Sequence, residues 1–151
     1  MPNIKVIGLG SPLRSDDGLG IEAIRRLAED TDVPPRAELI DGGLCGVGLL
    51  DLVEGADAVI LIDAVRVGDT PPGSVVRLSA DRIRHTVDTP SSSHDLKIGE
   101  VLRMAEALGI HLPPITLLGI VPENVSQGEG LSKTVENAMP KLISAIRAEL
   151  S

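Results

Sequence analysis

The sequence predicts an α/β fold: a three-layer sandwich with a five-stranded, mostly parallel sheet, one antiparallel edge strand, and helices on both faces. Short apolar runs alternate along the chain with longer segments in which apolar residues recur at helical spacing. This β-α-β-α-β order implies right-handed crossovers and parallel strands. One connection, residues 66–73, is too short for a crossover helix, so the strand after it is expected to run antiparallel at the sheet edge.

Three strands and two helices are predicted in the first part of the chain. An apolar run opens the chain and leads into a segment whose apolar side chains fall on one side of a helix. Paired prolines end that helix, and a short strand follows before the turn Asp41-Gly42-Gly43. The most apolar run is expected to be the central strand and to end at Asp63. The predicted strands are 4–8, 37–40 and 58–62, and the predicted helices are 17–30 and 47–53.

Two strands and two helices are predicted in the second part. The antiparallel edge strand is followed by a polar stretch that is expected to form an exposed loop, and paired prolines precede the fifth strand. The closing helix has Ser132 as its N-cap. Because the chain has no linkers, repeats or low-complexity tracts, residues 1–151 are expected to form a single domain. The predicted strands are 74–78 and 115–118, the helices 95–108 and 131–150, and the loops 84–93 and 121–130.

Composition argues against several classes of partner. A formal net charge of -8 disfavours nucleic acid, and a chain without Phe, Tyr or Trp has no aromatic platform for stacking on bases. No apolar stretch approaches the ~20 residues of a membrane span, so no membrane association is expected. The single cysteine cannot form an internal disulfide and fits a reducing compartment, which favours a cytoplasmic location.

The glycine-rich segment 8–20 is the most informative part of the sequence. It follows the first predicted strand and carries two adjacent acids, Asp16 and Asp17, at the edge where open α/β sheets bind ligands. If the first and third strands are neighbours, about 5 Å apart, Asp63 faces the same crevice. His94 follows the polar loop, which is placed to fold over that crevice. Two carboxylates and an imidazole suit a divalent transition metal with open coordination positions.

Other interpretations of these residues are open at this stage. Asp17 has the position of a helix cap, and His94 taken alone fits a surface or capping residue better than a ligand. A phosphate-binding loop is disfavoured because Leu13 stands at the third glycine position of a dinucleotide fingerprint and no Walker lysine follows. No role is predicted for the remaining candidate side chains, Cys45, His85 and His111.

The segment Gly8-Leu-Gly-Ser-Pro-Leu-Arg-Ser-Asp-Asp-Gly18 resembles the signature loop of the hydrogenase maturation endopeptidases. The resemblance spans nearly the whole chain in matching order and spacing. It continues through Asp41-Gly-Gly43, Ile62-Asp-Ala64, Ser93-His-Asp95, Gly119-Ile-Val-Pro-Glu123 and Gly130-Leu-Ser132.

The resemblance implies roles for individual residues. The metal-binding and catalytic residues of the family fall on Asp17, Asp63 and His94, while Asp16 falls on the neighbouring, structural acid of the motif. Asp41 matches a loop acid implicated in substrate contact, together with Gly42 and Gly43. Ser11 departs from the usual asparagine, which puts the rigidity of the loop in question because serine offers fewer donors.

The implied activity is removal of the C-terminal extension from a nickel-iron hydrogenase large-subunit precursor after nickel insertion. The metal is nickel supplied by that substrate, or another divalent transition metal, and the protein is expected to act as a monomer. Two alternatives remain from the residues alone. One is a nickel-binding or metal-delivery protein without catalysis. The other is a receiver-like phosphoacceptor domain, although that fold needs a lysine ending the fifth strand, where Leu117-Leu-Gly-Ile120 stands.

Overall fold

The computed structural model describes residues 2–86 and 97–151. Five strands and five α-helices lie in these two ranges, together with two short 3-10 turns. The strands are β1 (Ile4–Leu9), β2 (Ala37–Gly43), β3 (Ala58–Ala64), β4 (Val75–Ser79) and β5 (Ile115–Ile120). The helices are α1 (Leu19–Ala28), α2 (Leu49–Val53), α3 (Ala80–Thr86), α4 (Ile98–Ala107) and α5 (Lys133–Leu150), and the 3-10 turns are Ser15–Gly18 and Gly46–Gly48.

The strands form one sheet in the order β2-β1-β3-β5-β4. The pairs β1–β2, β1–β3 and β3–β5 are parallel, and β4 pairs antiparallel with β5 at the edge. The predicted fold class is therefore confirmed, including the adjacency of β1 and β3 and the antiparallel edge strand. This order brings the carboxyl ends of the four parallel strands to one edge of the sheet.

Alternating residues of the strands bury their side chains on opposite faces of the sheet. One face carries α1 and α5 over Val6, Ile60 and Ile62, and the other carries α2, α3 and α4 over Ile7 and Leu61. Strands that are apolar on both faces are expected where helices cover both sides of a parallel sheet. The core consists of aliphatic side chains, as a chain without aromatic residues requires.

Helix α1 crosses the sheet at very short range. A Cβ atom added at Gly20 would lie 2.3 Å from the Ile62 carbonyl oxygen, and one at Gly8 would lie 2.3 Å from the Gly20 carbonyl oxygen. Only glycine permits this approach of helix backbone to strand backbone. It fixes the beginning of α1, and the turn before it, above β1 and β3.

Several predicted boundaries are wrong, each for a local reason. The helix predicted from residue 17 begins as the 3-10 turn Ser15–Gly18 and becomes α-helical only at Leu19. The predicted turn Asp41–Gly43 is the last part of β2, which continues because Gly8 and Leu9 of β1 pair with it. The strand predicted to stop before Asp63 extends to Ala64.

The predicted loop 84–93 is also wrong at its start, because residues 84–86 end helix α3. That helix has only seven residues, and Ile83 is its buried apolar side chain. A single buried position shows no helical periodicity in the sequence. The part of the predicted loop from residue 87 onward lies outside the described residues. Ser132 is confirmed as the N-cap of α5, since its hydroxyl oxygen accepts a hydrogen bond from the Val135 N–H at 3.2 Å.

No helix in the described ranges is long and apolar enough to cross a membrane.

Candidate active site

Two buried carboxylates, Asp17 and Asp63, meet at the carboxyl edge of the sheet. Asp17 lies in the 3-10 turn that follows β1, and Asp63 lies near the end of β3. The two strands are paired directly through Gly8 and Ile62, so the residues that follow them lie side by side. The charge of Asp17 contributes to raising the pKa of Asp63, as expected for carboxylates that share one site.

The two oxygens of Asp17 have different environments. The residue is 1% exposed, and its Oδ2 accepts a hydrogen bond from the Ser11 N–H at 2.9 Å. Its Oδ1 is buried and has no hydrogen-bond partner. Burial raises the pKa of Asp17, while the Ser11 N–H and the positive charge of Arg14 act in the opposite direction. A buried carboxylate oxygen without a donor is costly, and a bound cation or proton would relieve that cost.

Asp63 is the more strongly perturbed of the pair. It is 4% exposed, and its Oδ1 accepts a hydrogen bond from the Ala64 N–H at 2.8 Å. Burial, and then the neighbouring charge of Asp17, raise its pKa well above the ordinary value, against the effect of the Ala64 N–H. Two carboxylates in such a site cannot both ionise cheaply unless a positive charge lies between them. This donor set suits a divalent cation.

Asp16, the other acid of the pair, has a saturated hydrogen-bond shell. It is fully buried, and its carboxylate accepts four hydrogen bonds from residues far along the chain. Its neighbour Ser15 has a φ of 51°, a conformation that is strained for a non-glycine residue. The contacts of Asp16 were not predicted from its position in the sequence, although the motifs that contain its partners Glu123 and Ser132 were recognised there.

The residues predicted to bind substrate lie on the neighbouring strand. Asp41 is exposed near the end of β2 and pairs with Gly8. The Gly10 N–H donates a hydrogen bond to the Gly43 carbonyl oxygen at 3.0 Å, which joins the turn after β1 to the end of β2. A Cβ at Gly42 would lie 2.7 Å from Ile7 Cγ2, so the strand needs glycine there for packing alone.

His94 lies outside the described residues, 2–86 and 97–151. Within those ranges, no group of three or more His, Cys, Asp or Glu side chains is placed to hold a metal ion. The structure therefore brings together two of the three predicted ligands. Of the other two histidines, His85 lies on α3 with its Nε2 3.8 Å from Asp81 Oδ1, and His111 precedes β5, at the opposite edge of the sheet.

Comparison with known proteins identifies the family. The family model for hydrogenase maturation proteases matches residues 21–149. The chain belongs to this family. It is 28% identical over 147 residues to the hydrogenase 2 maturation protease of Escherichia coli, covering 97% of this chain and 90% of that protein. It is 30% identical over 150 residues to the hydrogenase expression/formation protein HoxM of Azotobacter vinelandii, covering 99% and 71%.

Solved structures agree with that assignment. The hydrogenase maturating endopeptidase HybD from E. coli superposes with a TM-score of 0.83 at 27% identity, covering 98% of this chain and 91% of that one. This hydrogenase maturation protease is therefore an enzyme and a peptidase, as the resemblance implied. The receiver-like and non-catalytic alternatives are both wrong as descriptions of its class, and β5 ends without a lysine.

Proposed function

We propose that this protease removes the C-terminal extension of a nickel-iron hydrogenase large-subunit precursor after nickel has been inserted, and that Asp17, Asp63 and His94 recognise the nickel. The observation that carries the proposal is the buried Oδ1 of Asp17, which lacks a hydrogen-bond partner and lies in the same site as a second buried carboxylate. Nickel belongs to the substrate in this scheme, so the protease needs no resident metal. Another divalent transition metal would fit the same donors.

The chain's own residues supply the rest of the chemistry. Asp17 Oδ1 is available to a cation, while its Oδ2 is held by the Ser11 N–H. Whichever of the two carboxylates is not engaged with the cation would accept a proton from the water that attacks the scissile carbonyl. A divalent cation at this position would polarise that carbonyl or lower the pKa of bound water.

The substrate peptide is proposed to lie along the edge formed by Asp41, Gly42 and Gly43. This edge is joined to the turn after β1 by the Gly10–Gly43 hydrogen bond, so a peptide bound along it would reach the two carboxylates. We place the reaction in the cytoplasm, since the single cysteine fits a reducing compartment. The enzyme is proposed to act as a monomer on a protein substrate, without nucleic acid.

The proposal is tested by incubating the protein with nickel-loaded and nickel-free precursor and measuring precursor mass. Loss of a C-terminal peptide from the loaded form alone is expected. Asp17→Asn, Asp63→Asn and His94→Ala should each abolish the loss. Asp57→Asn, at the opposite end of β3, is the matched control and should cleave normally. Cleavage of both precursor forms, or full activity of all three site variants, would refute the proposal.

A further inference from the structure

Asp16 is a buried charged group that the proposed reaction does not use. Its Oδ2 accepts hydrogen bonds from the Glu123 N–H at 2.9 Å, the Asn124 N–H at 2.9 Å and the Ser132 hydroxyl at 2.8 Å. Its Oδ1 accepts one from the Ser132 N–H at 2.7 Å. Four donors on one carboxylate, all of them from residues more than 100 positions away in the chain, indicate a built attachment point rather than a local helix cap.

The donors come from the segment after β5 and from the start of α5, both at the carboxyl edge of the sheet. Glu123 and Asn124 follow β5, and Ser132 is the N-cap of the 18-residue helix α5. The Ser132 hydroxyl donates to Asp16 and accepts from the Val135 N–H, so the two contacts use different sides of one group. A carboxylate at the N-terminus of a long helix is also favoured by the helix dipole.

Backbone hydrogen bonds join the same two segments. The Ser15 N–H donates to the Gly128 carbonyl oxygen at 2.8 Å, and the Asp16 N–H donates to the Asn124 carbonyl oxygen at 2.9 Å. The signature loop is therefore attached to the segment 123–132 through both the backbone and the Asp16 side chain. Asp17, the next residue, is held on its other side by the Ser11 N–H and by its own N–H, which donates to the Arg14 carbonyl oxygen.

We propose that Asp16 is a positioning residue for Asp17. The hydrogen bonds from Glu123, Asn124 and Ser132 hold the Asp16 carboxylate in place. The inference rests on the proposed function, in which Asp17 contacts the nickel of the substrate. Through this attachment, the position of Asp17 depends on the start of α5 and on the segment after β5 as well as on its own loop. A displacement of about 1 Å at a reacting group lowers rate by roughly 100-fold, which is the scale of the effect expected here.

Asp16→Asn is the decisive variant because it keeps the shape and replaces one of the two acceptor oxygens with a donor. An asparagine has one carbonyl oxygen and one NH2 group. Whichever way it turns, the NH2 faces backbone N–H donors: those of Glu123 and Asn124 at one position, or that of Ser132 at the other. We expect kcat/KM for cleavage of nickel-loaded precursor to fall roughly 10- to 100-fold, because a displaced Asp17 contacts the nickel of the substrate less well in the bound complex and in the transition state.

Ser132 provides a milder pair of variants that keeps the test informative if Asp16→Asn folds poorly. Ser132→Ala removes the hydroxyl donor and is expected to lower kcat/KM by about 3- to 10-fold, while Ser132→Thr keeps the hydroxyl and should restore it. Leu78→Ala, at a buried position of the edge strand β4 on the other face of the sheet, is the control for loss of stability alone. It should cleave at nearly the parent rate at a temperature where the protein remains folded.

A readout independent of cleavage is the hydrogen exchange of the Ser11 amide, which reports whether the Asp17 carboxylate still accepts its hydrogen bond. In Asp16→Asn we expect this amide to exchange at least 10-fold faster, whereas amides in the centre of β3 change only as much as in Leu78→Ala. If the parent protein fails to cleave any precursor, the proposed function fails, and the exchange measurement still tests the positioning role. Parent-like kcat/KM together with parent-like Ser11 exchange in Asp16→Asn would overturn the inference.

Discussion

Replacing Gly20 by alanine tests how far the stability of the fold depends on the close approach of α1 to the sheet. The added Cβ would lie 2.3 Å from the Ile62 carbonyl oxygen and 2.5 Å from the Leu9 carbonyl oxygen. Ordinary contacts begin near 3.4 Å, so the helix has to move by about 1 Å. Neither obstacle is a flexible side chain that could turn away, because both belong to the backbone of central strands.

The cost follows from what that movement disturbs. Overpacking a core costs about 1–3 kcal/mol, and the upper end applies here because Leu19, Ala23 and Leu27 of α1 would leave their packing positions together. The higher helix propensity of alanine returns about 0.5–1 kcal/mol. A net loss of about 2 kcal/mol in the free energy of unfolding is expected.

The assay is urea unfolding, in which about 2 kcal/mol lowers the midpoint by roughly 1 M. Gly48→Ala is the matched control, since Gly48 has a φ of -61° and the nearest atom to its added Cβ is Cys45 Cβ at 3.9 Å. That substitution should leave stability unchanged or raise it by up to about 1 kcal/mol. An unchanged midpoint for Gly20→Ala, or an equal loss for Gly48→Ala, would refute the reasoning.

Three further substitutions probe the site and the core. Asp63→Asn should stabilise the metal-free protein because burial and Asp17 raise the pKa of Asp63, so its ionised form is disfavoured in the folded state. The unfolded carboxyl ionises near pH ~3.9, so the gain should be absent at lower pH and grow as pH rises above that value, which urea unfolding across pH would show. Gly10→Ala should lower the free energy of unfolding by about 3 kcal/mol or more and abolish cleavage. The reason is that Gly10 has a φ of 105° and that an added Cβ would lie 2.0 Å from the Asp17 carbonyl oxygen. A parent-like unfolding midpoint would contradict this expectation. Leu142→Ala should lose about 2–5 kcal/mol in the same assay through an unfilled cavity, and a loss below about 1 kcal/mol would show that α5 repacks.

Most of the fold was predictable from the sequence because its elements have clear signals. The continuous apolar run before Asp63 could be satisfied only by a strand covered on both faces, and the short connection before β4 left no room for a crossover helix. Helix α3 was missed because its single buried side chain, Ile83, gave no period. The segment Asp41–Gly43 was predicted to be a turn, but it continues β2 because it pairs with β1. A local segment of sequence does not show which strand it will pair with.

The sequence by itself determined the α/β class, the order of its elements, and the acids at the ends of β1 and β3 as the candidate site. These features are local, since apolar periodicity and the position of a polar residue at the end of an apolar run are properties of short segments. The resemblance implied different roles for the two acids of the signature loop, and only the tertiary structure shows how their surroundings differ. Asp16 is surrounded by donors from β5 and α5, whereas Asp17 keeps one buried oxygen without a partner, next to Asp63. Adjacent residues with the same side chain differ only in what folding places around them, and those partners lie more than 100 residues away for Asp16.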